Sequence, residues 1–545
     1  MYIKKNLILA FVLFLSACQP TDQKQPTDTK KHEYIKSVHY FADAWPKTFW
    51  QEFEEEQVEG DLQRIKVDGF NTVVLTVSWM GFENIFKAAE TQSDARMYNR
   101  LDFMLEAITQ QGLQYILRVG YPHDFTPNMD TDYVQLCLGL YGDEKVMQQW
   151  LAYLDNVKQI TNRYQAGLSG ILISWEDHWC PHFVFPFLPA ERRIELSQQL
   201  GYGQWMEKQD RELVKVLMGE NQLDFNAMPL PHKDEPVYYL YLRFVDELLE
   251  QRILNSTKTI FPSAAMEIRV DKDPVNSHKG KIWVEHDLFF DEPNHRGTYW
   301  APFWGARNEG ERLSLEQVLK NFEYFLRYVS DDGRSINHVI EQFNFTDNTP
   351  YFPNNALIED GSVIPFLKAS VPLLKKYSVG YGLWSYQDYV DNALYNASFE
   401  FGLDGWQVTD NVSVKNVGED QQLHMPSGAR IAQRYAPAKR FMLSRSYETL
   451  TLCVWAEAAG TIEVSENGAA LTQITLQPGL NCESFNANAL MHAVDVEFVV
   501  TALSDLVIDE LKLFGFVQYL GVYDEDGNPG PYLQAIRDMN RALSQ

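Results

Sequence analysis

Between residues 35 and 395, short apolar runs alternate eight times with longer amphipathic stretches, and this leaves few architectures open. Strands are expected at 37–42, 72–78, 114–119, 170–174, 264–270, 298–301, 336–340 and 379–384. The intervening spacing predicts helices over 49–67, 98–111, 144–164 and 315–328, with a long, mainly helical stretch from 190 to 260. Runs such as GILIS and INHVI read as buried strands. Eight strands alternating with helices imply an α/β fold, a (β/α)8 barrel with insertions. The hydrophobic content of 45% is enough for its core.

Near 393 the pattern changes. Short alternating strands separated by turn residues fill about 120 positions and read as an all-β sandwich over 396–515. An amphipathic helix over 531–543 then restores the earlier pattern. The expected organisation is a barrel over 35–395, a sandwich over 396–515 inserted after the eighth strand, and the final barrel helix within 516–545.

The N-terminus carries Lys4 and Lys5, an apolar stretch from Leu7 to Leu15, and then Leu15-Ser16-Ala17-Cys18. The apolar run is too short to span a bilayer and reads as an export signal over 1–18. Its end resembles the bacterial lipobox, which implies lipidation at Cys18 and anchoring in the cell envelope. Gln19 in the next position implies the outer membrane. Residues 19–34 are polar and read as a disordered tether. Export permits disulfides. Cys453 can pair with Cys482, and Cys137 with Cys180. A net charge of −27 argues against nucleic acid and against adsorption to anionic lipid.

Glu176 and Glu341 each follow a buried run, at the strand ends where barrels of this kind place their chemistry. Burying a carboxylate there is costly without purpose. Asp177 and Glu267 are rivals in similar settings, and since strand residues alternate in direction, only one of Glu176 and Asp177 can point inward. His39, Arg118 and Tyr299 are further polar candidates for the barrel mouth, and Trp79, Trp179, Trp304 and Trp384 are candidate platforms for a ring.

These positions resemble the retaining glycoside hydrolases of the large (β/α)8 clan that includes cellulases, mannanases and β-galactosidases. The resemblance implies Glu176 as acid/base after the fourth strand, Glu341 as nucleophile after the seventh, and Trp384 as the floor under the reacting sugar. It also implies Arg118 near the nucleophile and Tyr299 on a later strand. Where that clan usually has Asn before the acid/base, this chain has Trp175. Retention rests on this resemblance, and no cofactor is expected for catalysis. The sandwich resembles jelly-roll carbohydrate-binding modules through Asn396-Ala397-Ser398-Phe399-Glu400 and Gly402-Leu403-Asp404-Gly405-Trp406. That resemblance implies a structural calcium held by Glu400 and Asp509. The expected partners are a β-linked glycan and a membrane reached through the lipid anchor.

The sequence contains no phosphate-binding glycine loop with Lys, no HExxH and no Gly-x-Ser-x-Gly elbow. Two other readings stay open: a non-catalytic glycan-binding outer-membrane lipoprotein, and a barrel enzyme of another class such as a polysaccharide lyase or deacetylase.

Overall fold

Eight parallel strands close on themselves in chain order: β1 Ile35–His39, β2 Thr72–Val77, β3 Gln114–Val119, β4 Leu168–Ile173, β5 Ala265–Arg269, β6 Gly297–Trp300, β7 Val339–Phe343 and β8 Gly380–Leu383, which returns to β1. The computed structural model describes residues 33–46, 48–83, 95–119, 129–173, 180–181, 184–219, 224–269, 275–277, 280–282, 297–300, 311–330, 338–345, 357–418, 420–435, 449–486 and 495–545. Within these, helices α1 Glu55–Val67, α2 Ala95–Gln110, α3 Met129–Gly142 and α4 Glu144–Thr161 follow the first three strands. Four more, α5 Ala190–Leu200, α6 Tyr202–Glu207, α7 Arg211–Met218 and α8 Tyr238–Leu248, lie between β4 and β5. α9 Leu315–Ser330 and α10 Val363–Tyr377 follow β6 and β7.

Strand residues point alternately to the helix layer and to the barrel interior. Val73, Leu75, Val77, Leu117, Ile171, Ile173 and Ile340 pack outward under the helices. Ile35, Val74, Ile116, Leu172, Ala265 and Val339 form a separate apolar cluster, one residue from each of six strands, which is the interior layer. Two positions further along four of those strands stand Ser37, Arg118, Glu267 and Glu341, all buried. A polar layer therefore lies directly on an apolar one.

The seventh strand differs from its sequence reading. It was expected at 336–340 with Glu341 beyond its end; it runs over Val339–Phe343 and contains Glu341. Its pairing slips between Ile340 and Gln342 against β6, and between Ile340 and Phe343 against β8. This bulge inserts one residue and resets the alternation, so Ile340 and Phe343 both face the helices. Gly382 of β8 makes room for it, since a Cβ there would lie 2.4 Å from the Glu341 carbonyl oxygen. The run Glu341-Gln342 reads as the end of a strand because both residues are polar; their buried partners let the strand continue.

After β8 the chain forms two five-stranded antiparallel sheets. Their strands are β9 Gln407–Val408, β10 Ser413–Val417, β11 Asp420–Met425, β12 Arg430–Tyr435, β13 Thr449–Ala456, β14 Gly460–Glu466, β15 Ala469–Leu476, β16 Gly479–Asn486, β17 Val496–Ala502 and β18 Leu506–Phe514. The orders are β9-β12-β17-β14-β15 and β10-β11-β18-β13-β16. The motif at the sandwich start is a folded turn: Asn396 donates to the carbonyls of Gly402 and Asp404, each at 3.0 Å, and accepts from Phe401 N at 2.9 Å. Trp406 Nε1 closes it onto the Asn396 carbonyl at 2.9 Å. Disulfides join Cys137 to Cys180, and Cys453 on β13 to Cys482 on β16.

The last helix, α11 Leu533–Leu543, returns to the barrel. Tyr381 of β8 donates to Asn540 Oδ1 at 2.5 Å, and Asn540 donates to the Asp68 carbonyl at 3.0 Å. Arg537 binds Asp68 Oδ1 through Nε at 2.8 Å.

Candidate active site

The polar layer is an ionic cluster built from four strands. Arg118 of β3 lies between two carboxylates. Its Nε is 3.0 Å from Glu267 Oε2 on β5 and 3.0 Å from Glu341 Oε1 on β7. Its Nη2 reaches Glu341 Oε2 at 3.1 Å and also pairs with Glu267 Oε1. From β1, His39 Nε2 lies 3.1 Å from Glu341 Oε1 and 2.8 Å from the Glu341 carbonyl oxygen. Gln342, with its amide oxygen turned to the guanidinium, accepts from Arg118 Nη2 at 2.9 Å and Nη1 at 3.2 Å. The bulge thus brings two consecutive side chains to one cation.

Both carboxylates are fully buried. Burial alone favours the neutral acid. At Glu341 it is outweighed by the positive charge of Arg118 and by His39, its charge and its hydrogen bond, which hold the carboxyl below the usual range. Glu341 is therefore an ionised carboxylate at neutral pH.

An aromatic group covers this cluster. Trp384, just past β8, has its ring 4.9 Å from the His39 ring, and the Arg118 guanidinium sits 5.8 Å from its centroid. Phe41 and Trp45, in the segment after β1, approach Trp384 at 5.1 and 5.8 Å. Trp384 Nε1 donates to Tyr389 Oη at 3.1 Å, and Tyr389 donates to Gln518 Oε1 at 3.2 Å. The arrangement offers an anionic oxygen on a cationic base beneath an indole face, suited to a neutral ring with an electrophilic carbon.

Of the residues singled out in the sequence, His39, Arg118, Glu267, Glu341 and Trp384 come together here. Trp79 does not: it is fully buried, donates to Glu83 Oε2 at 3.2 Å and stacks on Tyr153 at 6.4 Å, so it is a packing residue and no ring platform. Glu176, Asp177, Trp179, Trp304 and Cys18 lie outside the described residues, as does the Tyr299 side chain, whose backbone belongs to β6. Sequence reasoning missed Gln342, Trp45 and Tyr389. Gln342 was hidden by the bulge; Trp45 stands in an irregular segment and Tyr389 in a strand of two residues, too short for periodicity to reveal its facing.

The calcium expected at Glu400 and Asp509 does not fit. Glu400 Oε2 pairs with Arg96 Nη1 and Oε1 with Arg100 Nη2, each at 3.0 Å, so two guanidinium groups occupy the place of a cation. Asp509 stands among other acids: burial, then Asp420, Glu457 and Glu54, push its carboxyl up to about 6. Among the described residues no cluster of three or more His, Cys, Asp or Glu side chains is placed to hold a metal ion. A surface cavity lined by Leu138, Asp143, Arg192 and Gln199 lies between α3 and α5, among outer helices and apart from the ionic cluster.

No family model matches the chain, and no curated protein matches it. Among solved structures it is similar to the exo-β-1,4-mannosidase Op5Man5 from Opitutaceae bacterium strain TAV5, at 15% identity and TM-score 0.39, covering 65% of this chain and 52% of that one. The chain thus matches about half the length of that protein. It is also similar to an endo-1,4-β-mannanase from Rhizomucor miehei, at 10% identity and TM-score 0.37, covering 65% and 86% of the two chains. A further likeness is to CsCBM6-3 from Clostridium stercorarium, solved in complex with cellobiose, at 13% identity and TM-score 0.17, covering 21% of this chain and 88% of that one. The strand order, and not these likenesses, carries the description of the fold as a closed eight-stranded α/β barrel with a β-sandwich.

Proposed function

We propose that the protein is a glycoside hydrolase acting on a β-linked polysaccharide or oligosaccharide. The observation that carries this reading is the ionised Glu341 carboxylate, held by Arg118 and His39 beneath Trp384. A nucleophile must be charged before substrate arrives, and a paired cation keeps it so. Glu341 attacks the anomeric carbon while Glu176 gives its proton to the departing glycosidic oxygen. Water, deprotonated by Glu176, then cleaves the glycosyl ester and restores both groups. The resemblance to the retaining clan supports Glu176 as the acid/base. The export signal and lipobox-like Cys18 fit a substrate met in the cell envelope.

The test is hydrolysis of a panel of β-1,4-mannan, β-1,4-glucan, other β-glycans and aryl β-glycosides by wild type, Glu341→Gln and Glu176→Gln. Activity is expected to fall on the order of 10⁴-fold in Glu341→Gln. A 2-deoxy-2-fluoro glycoside should label Glu341, read by peptide mass spectrometry. Labelling at Glu267 instead, with full activity in Glu341→Gln, would move the nucleophile.

A second reading is favoured by one observation: Glu341 is fully buried with its carboxylate already paired to Arg118 and His39. On that reading the barrel binds glycan without cleaving it. Wild type that binds a panel glycan but hydrolyses none would select it.

A further inference from the structure

The two segments that carry the aromatic cover of the cluster are both held by the sandwich. After β1, the Asp43 carbonyl accepts from Val390 N at 2.9 Å and Ala44 bridges Val390. Tyr389 and Val390 in turn pair with Val517 and Gln518, where the chain leaves the sandwich. From β18, Lys512 reaches into the same segment: its Nζ lies 2.9 Å from Glu52 Oε2 and 3.4 Å from Asp43 Oδ2. Its side chain is only 14% exposed, and Glu510 on its own strand lies 3.7 Å away.

Between Asp43 and Glu52 stands Trp45. It is partly exposed, 5.8 Å from Trp384 and 5.3 Å from Tyr389. A partly exposed indole beside the ring over the nucleophile is placed to stack on a sugar next to the reacting one. Two ion pairs flank it and cross from sandwich to barrel.

We propose that Trp45 contacts the glycan beside the cleaved sugar, and that Lys512 of the sandwich is its positioning residue. The sandwich then completes the barrel's substrate site, whether or not it binds glycan elsewhere. This rests on the glycoside hydrolase reading.

The experiment compares Trp45→Ala, Lys512→Met and Lys512→Arg, with Trp455→Ala as control; Trp455 is an exposed indole on the sandwich, 43% accessible. The probes are β-1,4-manno- and β-1,4-gluco-tetraose, with kcat and KM measured on the active enzyme and Kd by calorimetry on the Glu341→Gln background. Trp45→Ala is expected to raise KM and Kd about tenfold, the worth of one lost aromatic face. Lys512→Met should raise them severalfold and speed amide exchange over 41–53, with Lys512→Arg restoring both; Trp455→Ala should change neither. Should Lys512→Met fail to fold, Asp43→Asn with Glu52→Gln removes the same pairs from the other side. Trp45→Ala within twofold of wild type, in an enzyme that cleaves the probe, overturns the proposal and leaves Glu341 in place. Weakened binding in Lys512→Met without faster exchange over 41–53 overturns the role of Lys512. Wild type that neither binds nor cleaves either tetraose or any panel glycan overturns both this proposal and the hydrolase reading.

Discussion

Buried carboxyl groups occur in two parts of this molecule and behave oppositely. In the barrel interior, Glu341 is fully buried yet held ionised by Arg118 and His39. Around the sandwich and its seam with the barrel, burial prevails and carboxyl groups hold their protons to higher pH than usual. Burial pushes Glu510 up to about 8 against the pull of Lys512, with Glu52 and Asp43 adding to the rise. Asp388 is pushed to about 7, mainly by burial. Glu400 also reaches about 7, although Arg100 and Arg96 oppose the rise. The difference lies in the acids nearby. Glu400 and Glu510 also meet cations, but Asp420 beside the one and Glu52 and Asp43 beside the other add to the rise, whereas burial alone raises Glu341. A carboxylate kept charged in a dry interior is costly and points to use.

The largest test of this contrast is the activity loss expected for Glu341→Gln. Next is Arg118→Met. It strips the cation from both Glu267 and Glu341 and should cost about 3–5 kcal/mol in urea unfolding. With burial unopposed by Arg118, the Glu341 carboxyl should titrate higher, and the acid limb of kcat/KM should move to higher pH. A limb that stays in place would mean that Arg118 does not set that charge.

At the seam, Arg100 donates to the Trp50 carbonyl at 2.6 Å and to Glu400 Oε1 at 3.0 Å, and pairs with Asp420. Arg100→Met should cost less, about 2 kcal/mol, because Glu400 keeps Arg96 and, already sitting high, can take a proton once Arg100 is gone. A loss as large as that of Arg118→Met would erase the distinction between the regions.

The smallest effect is on pH dependence. Glu510, Asp388, Glu400 and Asp509 keep their protons to higher pH folded than unfolded, where such groups titrate near 4. Their contribution is full below that range and is lost as pH rises through about 6 to 8. Glu341 works in the other sense: its contribution is present above the unfolded value and is lost as pH falls through its lowered one. Between pH 5 and 9, Tm should therefore fall, by roughly 5 °C, and Glu510→Gln with Asp388→Asn should flatten that slope.

Much of the barrel was legible because its strands are apolar on both faces while its helices are apolar on one. The β3 expectation, 114–119, coincides with the strand found. Arg118 was visible as a lone cation in YILRV, and Glu341 as an acid beside INHVI. What failed was local. Glu341-Gln342 looked like a strand ending because alternation assumes no bulge, and the shift in β7 depends on Gly382 across the pair. Trp79 looked like Trp384 in one dimension; what separates them is which side of the wall each ring falls on. Glu400 looked like a cation ligand, and only the fold brings Arg96 and Arg100 to it from another domain.

The interruption between β8 and α11 has a consequence for how the chain is made. The chain departs near Val390 and re-enters at Val517, and those two points are neighbours in one antiparallel pair. A ribosome must therefore finish the entire sandwich before the helix that seals β1 against β8 exists at all. Until then Tyr381 has no Asn540 to meet, and Asp68 lacks Arg537. A chain halted at the end of the sandwich has an unsealed barrel. A chain in which 391–516 is excised and its neighbouring ends are rejoined keeps every barrel element, at the cost of Lys512.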